Sequence, residues 1–199
     1  MGRVIMAASV SLDGFIADVD DGVGGLFDWY GNGDIPVTMG DAERVFHVSE
    51  ASASYIRSLG SIRAAVIGRH LFDITNGWNG VPAAGDHVFV VTHHPPDDWD
   101  FPDAPFTFVT DGVASAVAQA RATAADGDVS VSAGDMGGQA LVAGLVDEVQ
   151  LSLVPILLGV GKGFFGAVPG ARRMLENPTV IEGDRVVHLT YRLRSPVRE

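Results

Sequence analysis

Six short segments, 3–10, 63–68, 86–92, 105–110, 128–133 and 147–154, read as β-strands, with apolar and β-branched residues inside and turn residues at their ends. Helical patterns lie between several of them, and strands that alternate with helices specify a parallel sheet covered on both faces. One helix starts after Ser49, a capping residue, with Ser52, Tyr55, Ile56 and Leu59 on one side and Gly60 at its end. A short helix can begin in Arg69-His70-Leu71-Phe72-Asp73, directly after Gly68. Val113, Ala116, Val117 and Ala120 repeat at helical spacing behind possible caps at Thr110 or Asp111. A last helix, with Ala140, Leu141, Gly144 and Leu145 turned inward, follows the glycine-rich stretch 134–138.

The end of the chain is different. Segments 171–181 and 185–193 flank Glu182-Gly183-Asp184, and Val187, Leu189, Tyr191 and Leu193 alternate with His188, Thr190 and Arg192. That pattern predicts a β-hairpin with one wet face. Residues 18–40, rich in Gly and Asp and containing Pro36, read as a surface excursion. The expected fold is α/β: three layers, α/β/α, with a mostly parallel central sheet and a C-terminal antiparallel hairpin, as one domain over 1–199 with no repeat or linker.

Composition removes whole classes of function. With 25 acidic against 13 basic residues the net charge is −12, which repels a polyphosphate backbone and argues against nucleic acid. Any bound anion must therefore be captured locally. The longest apolar stretches, such as 154–160, are broken by Pro and Gly and fall short of the ~20 residues that span a bilayer. The chain enters its first strand without a signal-like apolar core, so the expected location is the cytoplasm. There is no cysteine, no Gly-x-Ser-x-Gly and no phosphate-loop motif, which removes the usual support for a hydrolase or a phosphate-loop ATPase.

In an open parallel sheet, ligands bind beyond the carboxyl ends of the strands, where exposed helix N–H groups attract anions. Three such ends carry suitable residues: Gly68-Arg69-His70, Thr92-His93-His94 and Gly134-Asp135-Met136-Gly137-Gly138. Together they suggest a ligand with several phosphates. A cation at the positive end of a helix is unfavourable unless an anion offsets it, which makes Arg69 the strongest single candidate. His93 and His94 with Asp97 leave a metal-dependent hydrolase as a remote alternative, and no metal site is assigned.

The order of these motifs resembles the dihydrofolate reductase-like superfamily, specifically the bacterial branch related to the riboflavin-biosynthesis reductase domain. The matching stretches are Ser11-Leu12-Asp13-Gly14-Phe15-Ile16-Ala17, Val66-Ile67-Gly68-Arg69-His70, Val88-Phe89-Val90-Val91-Thr92-His93, Gly144-Leu145-Val146-Asp147-Glu148 and Val154-Pro155-Ile156-Leu157-Leu158-Gly159. The resemblance implies an NADPH-dependent reductase that transfers hydride to a C=N or C=O bond of a small heterocycle, folate-like or riboflavin-precursor-like, and works as a homodimer. Gly68, Arg69 and His70 would meet the cofactor's phosphates, and Thr92, His93 and His94 its 2′-phosphate. Gly134, Asp135, Met136, Gly137 and Gly138 would line the pyrophosphate and pass near the nicotinamide. The chain departs from the pattern at Leu71, where relatives carry Thr, at Ala133-Gly134, where Gly-Gly is common, and at Asp135, a carboxylate near the expected pyrophosphate.

Folate reduction uses a buried carboxylate to promote protonation, and the candidates for that role are Glu50 and Asp13. Each also has a plain structural reading, Glu50 as a solvated residue at a helix start and Asp13 as a turn former. Phe15, Phe27, Trp29 and Trp78 could stack a heterocycle, and Phe164 and Phe165 precede the final hairpin. A non-catalytic NADP(H)-binding sensor is the alternative function.

Overall fold

The computed structural model describes residues 2–167 and 174–193. Strand β1 (Val4–Ser11) lies centrally in an eight-stranded sheet. On one side of β1 come β8 (Asp128–Ser132), β5 (Ile62–Gly68), β6 (His87–Val91) and β7 (Phe106–Val109), all parallel to it. On the other side β9 (Glu148–Val154) is also parallel, followed by the antiparallel hairpin β12 (Val186–Arg192) and β11 (Thr179–Gly183). The mostly parallel sheet with an antiparallel edge is as the sequence predicts. Residues 171–173 of the expected first hairpin arm lie outside the described residues.

Helices cover both faces. Val4, Met6 and Val10 of β1 share a core with Val66, Val129, Val131 and Val149, against α3 (Val113–Ala124) and α4 (Asp135–Val142). The opposite face carries α1 (Glu50–Ser58) over Val154 and Val186, and α2 (Arg69–Asn79) over Ala65, Ile67, Val88 and Val90. Ser49 caps α1 as expected, its side chain accepting from the Ser52 N–H. The right-handed turns of α2 end before Asn76; Asn76, Gly77, Trp78 and Asn79 take positive φ of 48°, 55°, 49° and 55°, and Gly80, at 84°, follows in the left-handed conformation that glycine tolerates best.

Four expectations are corrected. Segment 18–40 follows β2 (Phe15–Ala17), which pairs with β10 (Lys162–Gly163), but it is not a surface excursion throughout. Leu26, Trp29 and Val37 are buried, and β3 (Ile35–Met39) forms a hairpin with β4 (Asp41–Val48), because a few apolar residues among the glycines dock on α1. Gly112, not Thr110 or Asp111, is the N-cap of α3. Stretch 134–138 is not a loop, since α4 already starts at Asp135 and the Gly138 N–H donates to the Gly134 carbonyl. Finally, the His188 side of the hairpin is not wet: α1 lies over it, and His188 is buried while Leu189 and Tyr191 are partly buried.

Candidate active site

Between α1 and α2 the sheet face is paved with small residues. Register sets Ala7 beside Ser132 and Ser9 beside Ser152, so β1, β8 and β9 present Ala and Ser where α1 and α2 part. The result is a cleft of about 1540 Å³ whose floor is Ala7, Ser9, Ser130, Ser132 and Ser152. Trp29 and Tyr55 close one wall; the Trp29 Nε1–H donates to Ser9 Oγ at 3.0 Å, and Tyr55 OH donates to Gln150 Oε1 at 3.3 Å. Behind them His188 stacks on Tyr55 with ring centroids 4.0 Å apart, its nitrogens 2.9 Å from Ser152 Oγ and 3.0 Å from Ser52 Oγ. Burial holds its imidazole pKa down to about 4, so it is neutral near pH 7.

The cleft opens at the carboxyl ends of four neighbouring strands. Gly68, Arg69 and His70 follow β5, Thr92, His93 and His94 follow β6, Gly112 and Val113 follow β7, and Gly134, Asp135 and Met136 follow β8; all line the cleft. Helices α2, α3 and α4 start there from Gly68, Gly112 and Gly134, and none of the three has a side-chain cap, whereas α1 does. Three helix N-termini thus bring uncapped N–H groups to one mouth, the geometry that attracts anions. Gly112 and Gly134 adopt φ of 96° and 93°, which favours glycine at these caps. Arg69 is fixed there, its Nε donating to Asp73 Oδ1 at 2.6 Å and its Nη1 to the His94 carbonyl.

No protein-family model matches the sequence, and no curated protein matches it. Solved structures do. A Shewanella sp. PV-4 protein assigned to riboflavin biosynthesis is 21% identical with a TM-score of 0.67, covering 96% of this chain and 99% of its own. A dihydrofolate reductase of Enterococcus faecalis, solved with NADP(H), is 15% identical with a TM-score of 0.56, covering 96% of each chain. The chain has the dihydrofolate reductase-like fold. It is also similar to a Thermotoga maritima diaminohydroxyphosphoribosylaminopyrimidine deaminase/5-amino-6-(5-phosphoribosylamino)uracil reductase, at 13% identity and a TM-score of 0.62. That match covers 96% of this chain and 56% of the other, so the chain spans little more than half of that protein's length.

Within this dihydrofolate reductase-like fold, the structure gathers most of the candidate residues but not all. Gly137 and Gly138 are buried in α4 and do not line the cleft. A Cβ on Gly137 would lie 2.4 Å from the Ser132 carbonyl oxygen, so this glycine serves the packing of α4 on β8. Asp135 lines the cleft with one carboxylate oxygen occupied, accepting from the Ala167 N–H at 3.0 Å.

The two catalytic candidates are not brought to the cleft. The Glu50 side chain is 72% exposed and pairs with Arg57 at 3.2 Å. Asp13 accepts from Ser11 Oγ at 2.5 Å and from the Gly159 N–H at 2.7 Å, tying loop 155–159 to the end of β1. The Ser11 hydroxyl, with help from the Leu158 and Gly159 N–H groups, holds the Asp13 carboxyl below its ordinary range, and an ionised carboxylate is a poor proton donor. Among the aromatic candidates, Phe27, Trp29 and Trp78 line the cleft; Phe15 does not, and Phe164 is buried in the core. Among the described residues no three His, Asp or Glu side chains come together to hold a metal ion, so His93, His94 and Asp97 form no such centre. No helix among them is long and apolar enough to cross a membrane.

The residues that sequence reasoning missed are the floor serines, Tyr55, His188 and Lys162. For the serines and His188 the signal was polar alternation within strands of the main sheet, whereas Tyr55, on α1, and Lys162, on the two-residue strand β10, carry no such pattern.

Proposed function

We infer that the protein, read as a single dihydrofolate reductase-like domain, is an NADPH-dependent reductase of a small heterocyclic substrate, folate-like or riboflavin-precursor-like. The observation that carries this reading is the mouth of the cleft. In a chain of net charge −12, three uncapped helix N-termini converge there with Arg69, His70, His93 and His94. Such a site fits the phosphates of a dinucleotide, since N–H groups and localised cations overcome the long-range repulsion that the whole molecule exerts. Gly68, Arg69 and His70 would hold the pyrophosphate end, with the N–H groups of Asp135 and Met136 opposite. Thr92, His93 and His94 would surround the 2′-phosphate that distinguishes NADPH from NADH.

When bound, the cofactor supplies a hydride for a carbon of a C=N or C=O bond. The chain's own contribution is position and exclusion of water. The floor of Ala and Ser leaves room for flat rings, and Trp29 and Tyr55 wall in the far end. The volume exceeds the ~300–1,000 Å³ that holds one drug-sized ligand, which suits a cofactor and a substrate side by side. The fold relationship to NADP(H)-bound dihydrofolate reductase supports the same reading. A homodimer in the cytoplasm belongs to it too, with β11 as the outer strand available for pairing.

One observation favours the non-catalytic sensor instead. Among the described residues, each carboxylate lining the cleft already has a partner: Asp21 with His70, Asp86 with Arg63, and Asp135 with the Ala167 N–H. Titration with NADPH and NADH tests the shared premise, and NADPH absorbance with dihydrofolate and a pterin and pyrimidine panel separates turnover from binding. NADPH binding should weaken by about 1–3 kcal/mol in Arg69→Ala, as one charge-assisted hydrogen bond is lost. An unchanged dissociation constant would remove Arg69 from the site.

A further inference from the structure

Lys162 has no role in the reading above, yet it is the ammonium group that the fold delivers to the cleft. It stands on β10, whose register with β2 sets Lys162 opposite Ala17. The approach is close, since a Cβ on the adjacent Gly161 would lie 2.1 Å from the Ala17 carbonyl oxygen. Immediately after β2 the chain closes a small loop. The Asp18 N–H donates to the Gly22 carbonyl at 2.8 Å, and the Asp18 carboxylate accepts from the Asp20 and Gly22 N–H groups, each at 2.8 Å.

Asp21 sits on this loop in the left-handed region, at a φ of 68°. Its carboxylate meets His70 Nε2 at 2.7 Å and the Lys162 ammonium, and those two basic groups are themselves 2.7 Å apart. Hydrogen bonding from His70 first, then from Lys162, holds the Asp21 carboxyl below its ordinary range. Three separate elements, the loop after β2, the first turn of α2 and β10, thus converge on one anionic group at the edge of the cleft.

Stability does not account for this convergence. All three side chains are partly exposed, and ion pairs of that kind contribute little to folding. Position accounts for it better, because His70 belongs to the uncapped start of α2, where an anion is favoured in any case. A phosphoryl group offers the same charge as Asp21 with more acceptor oxygens.

We propose that His70 and Lys162 form a binding site for a phosphoryl group of the cleft's ligand, that Asp21 fills this site until the ligand arrives, and that loop 18–22 withdraws when it does. The proposal rests on the nucleotide reading only in expecting a phosphorylated ligand. It adds Lys162 to the site and makes Asp21 an internal competitor.

Calorimetric titration with inorganic pyrophosphate at low ionic strength, with NADPH run in parallel, provides the test. Asp21→Asn removes the competing charge and leaves the Asp18 hydrogen bonds that shape the loop, so pyrophosphate should bind about tenfold more tightly. Lys162→Ala should weaken it about tenfold, and Lys162→Arg should restore it, which controls for any loss of folding in the alanine variant. Affinity unchanged or reduced in Asp21→Asn, or unchanged in Lys162→Ala, overturns the proposal, as does no pyrophosphate binding at all. If pyrophosphate shows the opposed effects while NADPH does not bind, the nucleotide reading fails and the anion site stands. If NADPH binds and neither variant alters either ligand, the reverse holds.

Discussion

Replacing His188 with Gln separates the packing of this residue from its titration. The imidazole is 1% exposed, stacked on Tyr55, edge-on to Trp29 at 4.9 Å, and bonded at both nitrogens by serine hydroxyls. Two hydroxyls satisfy a neutral ring in either tautomer, because each can donate or accept. Protonation would put an unpaired charge in this pocket, and burial accordingly brings the folded pKa to about 4 against 6.5 for a free histidine. Between those values the unfolded chain binds the proton first, so stability rises with pH. The contribution is complete above about pH 6.5 and is lost as pH falls to about 4. At 1.36 kcal/mol per tenfold, the whole difference is about 3 kcal/mol, of which about 2 kcal/mol is lost by pH 5. Urea unfolding at pH 7 and pH 5 reads this directly. The native protein should lose about 2 kcal/mol more than His188→Gln over that interval, whatever the substitution costs in packing, since that cost enters at both pH values. Parallel losses in the two proteins, or an imidazole resonance of His188 titrating at pH 6 or above, would refute the reasoning. Because Trp29, Tyr55 and Ser152 also line the cleft, acid should loosen its floor before the rest of the fold.

Two further perturbations test the framework under the site. Arg3 joins β1 to both neighbouring strands, its Nη2 lying 2.6 Å from Asp128 Oδ2 and its Nη1 3.0 Å from Glu148 Oε2, with those carboxylate side chains only 7% and 4% exposed. Leaving buried carboxylates unpaired costs about 3–5 kcal/mol, but Ser61 stays on Asp128 and Arg192 on Glu148, so Arg3→Met should lose about 2–3 kcal/mol. Calorimetry should show Tm lower by roughly 5–10 °C in a chain of this size, and an unchanged Tm would deny the cluster its role. Gly137→Ala places a methyl group 2.4 Å from the Ser132 carbonyl oxygen and 2.9 Å from Met6 Cε. Relief requires α4 to move off β8, costing about 1–3 kcal/mol and shifting Asp135 and Met136, so NADPH binding should weaken with stability; full affinity in the variant would show that this helix start does not touch the cofactor.

Much of the fold was legible because local signals and topology agree. Short strands alternating with helices allow few arrangements other than a parallel sheet, and Ser49 starts its helix where a capping residue should. Three of the four corrections share one cause, which is that glycine carries several meanings. At 134 it is a cap with positive φ, at 137 it is a contact too close for a methyl group, and in 18–40 a run of glycines masks the few large residues that dock. Only the neighbours, distant in sequence, tell these uses apart.

The mouth of the cleft followed from a general rule about parallel sheets, whereas the floor went unread for a reason that can be stated physically. Alternation such as Val129-Ser130-Val131-Ser132 or Gln150-Leu151-Ser152-Leu153 ordinarily means that one face is wet. Yet a strand inside a parallel sheet with helices on both sides has no wet face. Its polar half must meet another polar group or border a space. Ser152 with His188 and Ser9 with Trp29 take the first course, and Ser130 and Ser132 take the second by opening onto the cleft. Polar alternation and crossover topology are therefore contradictory signals when read together, and the contradiction marks where such a sheet has left room for a ligand.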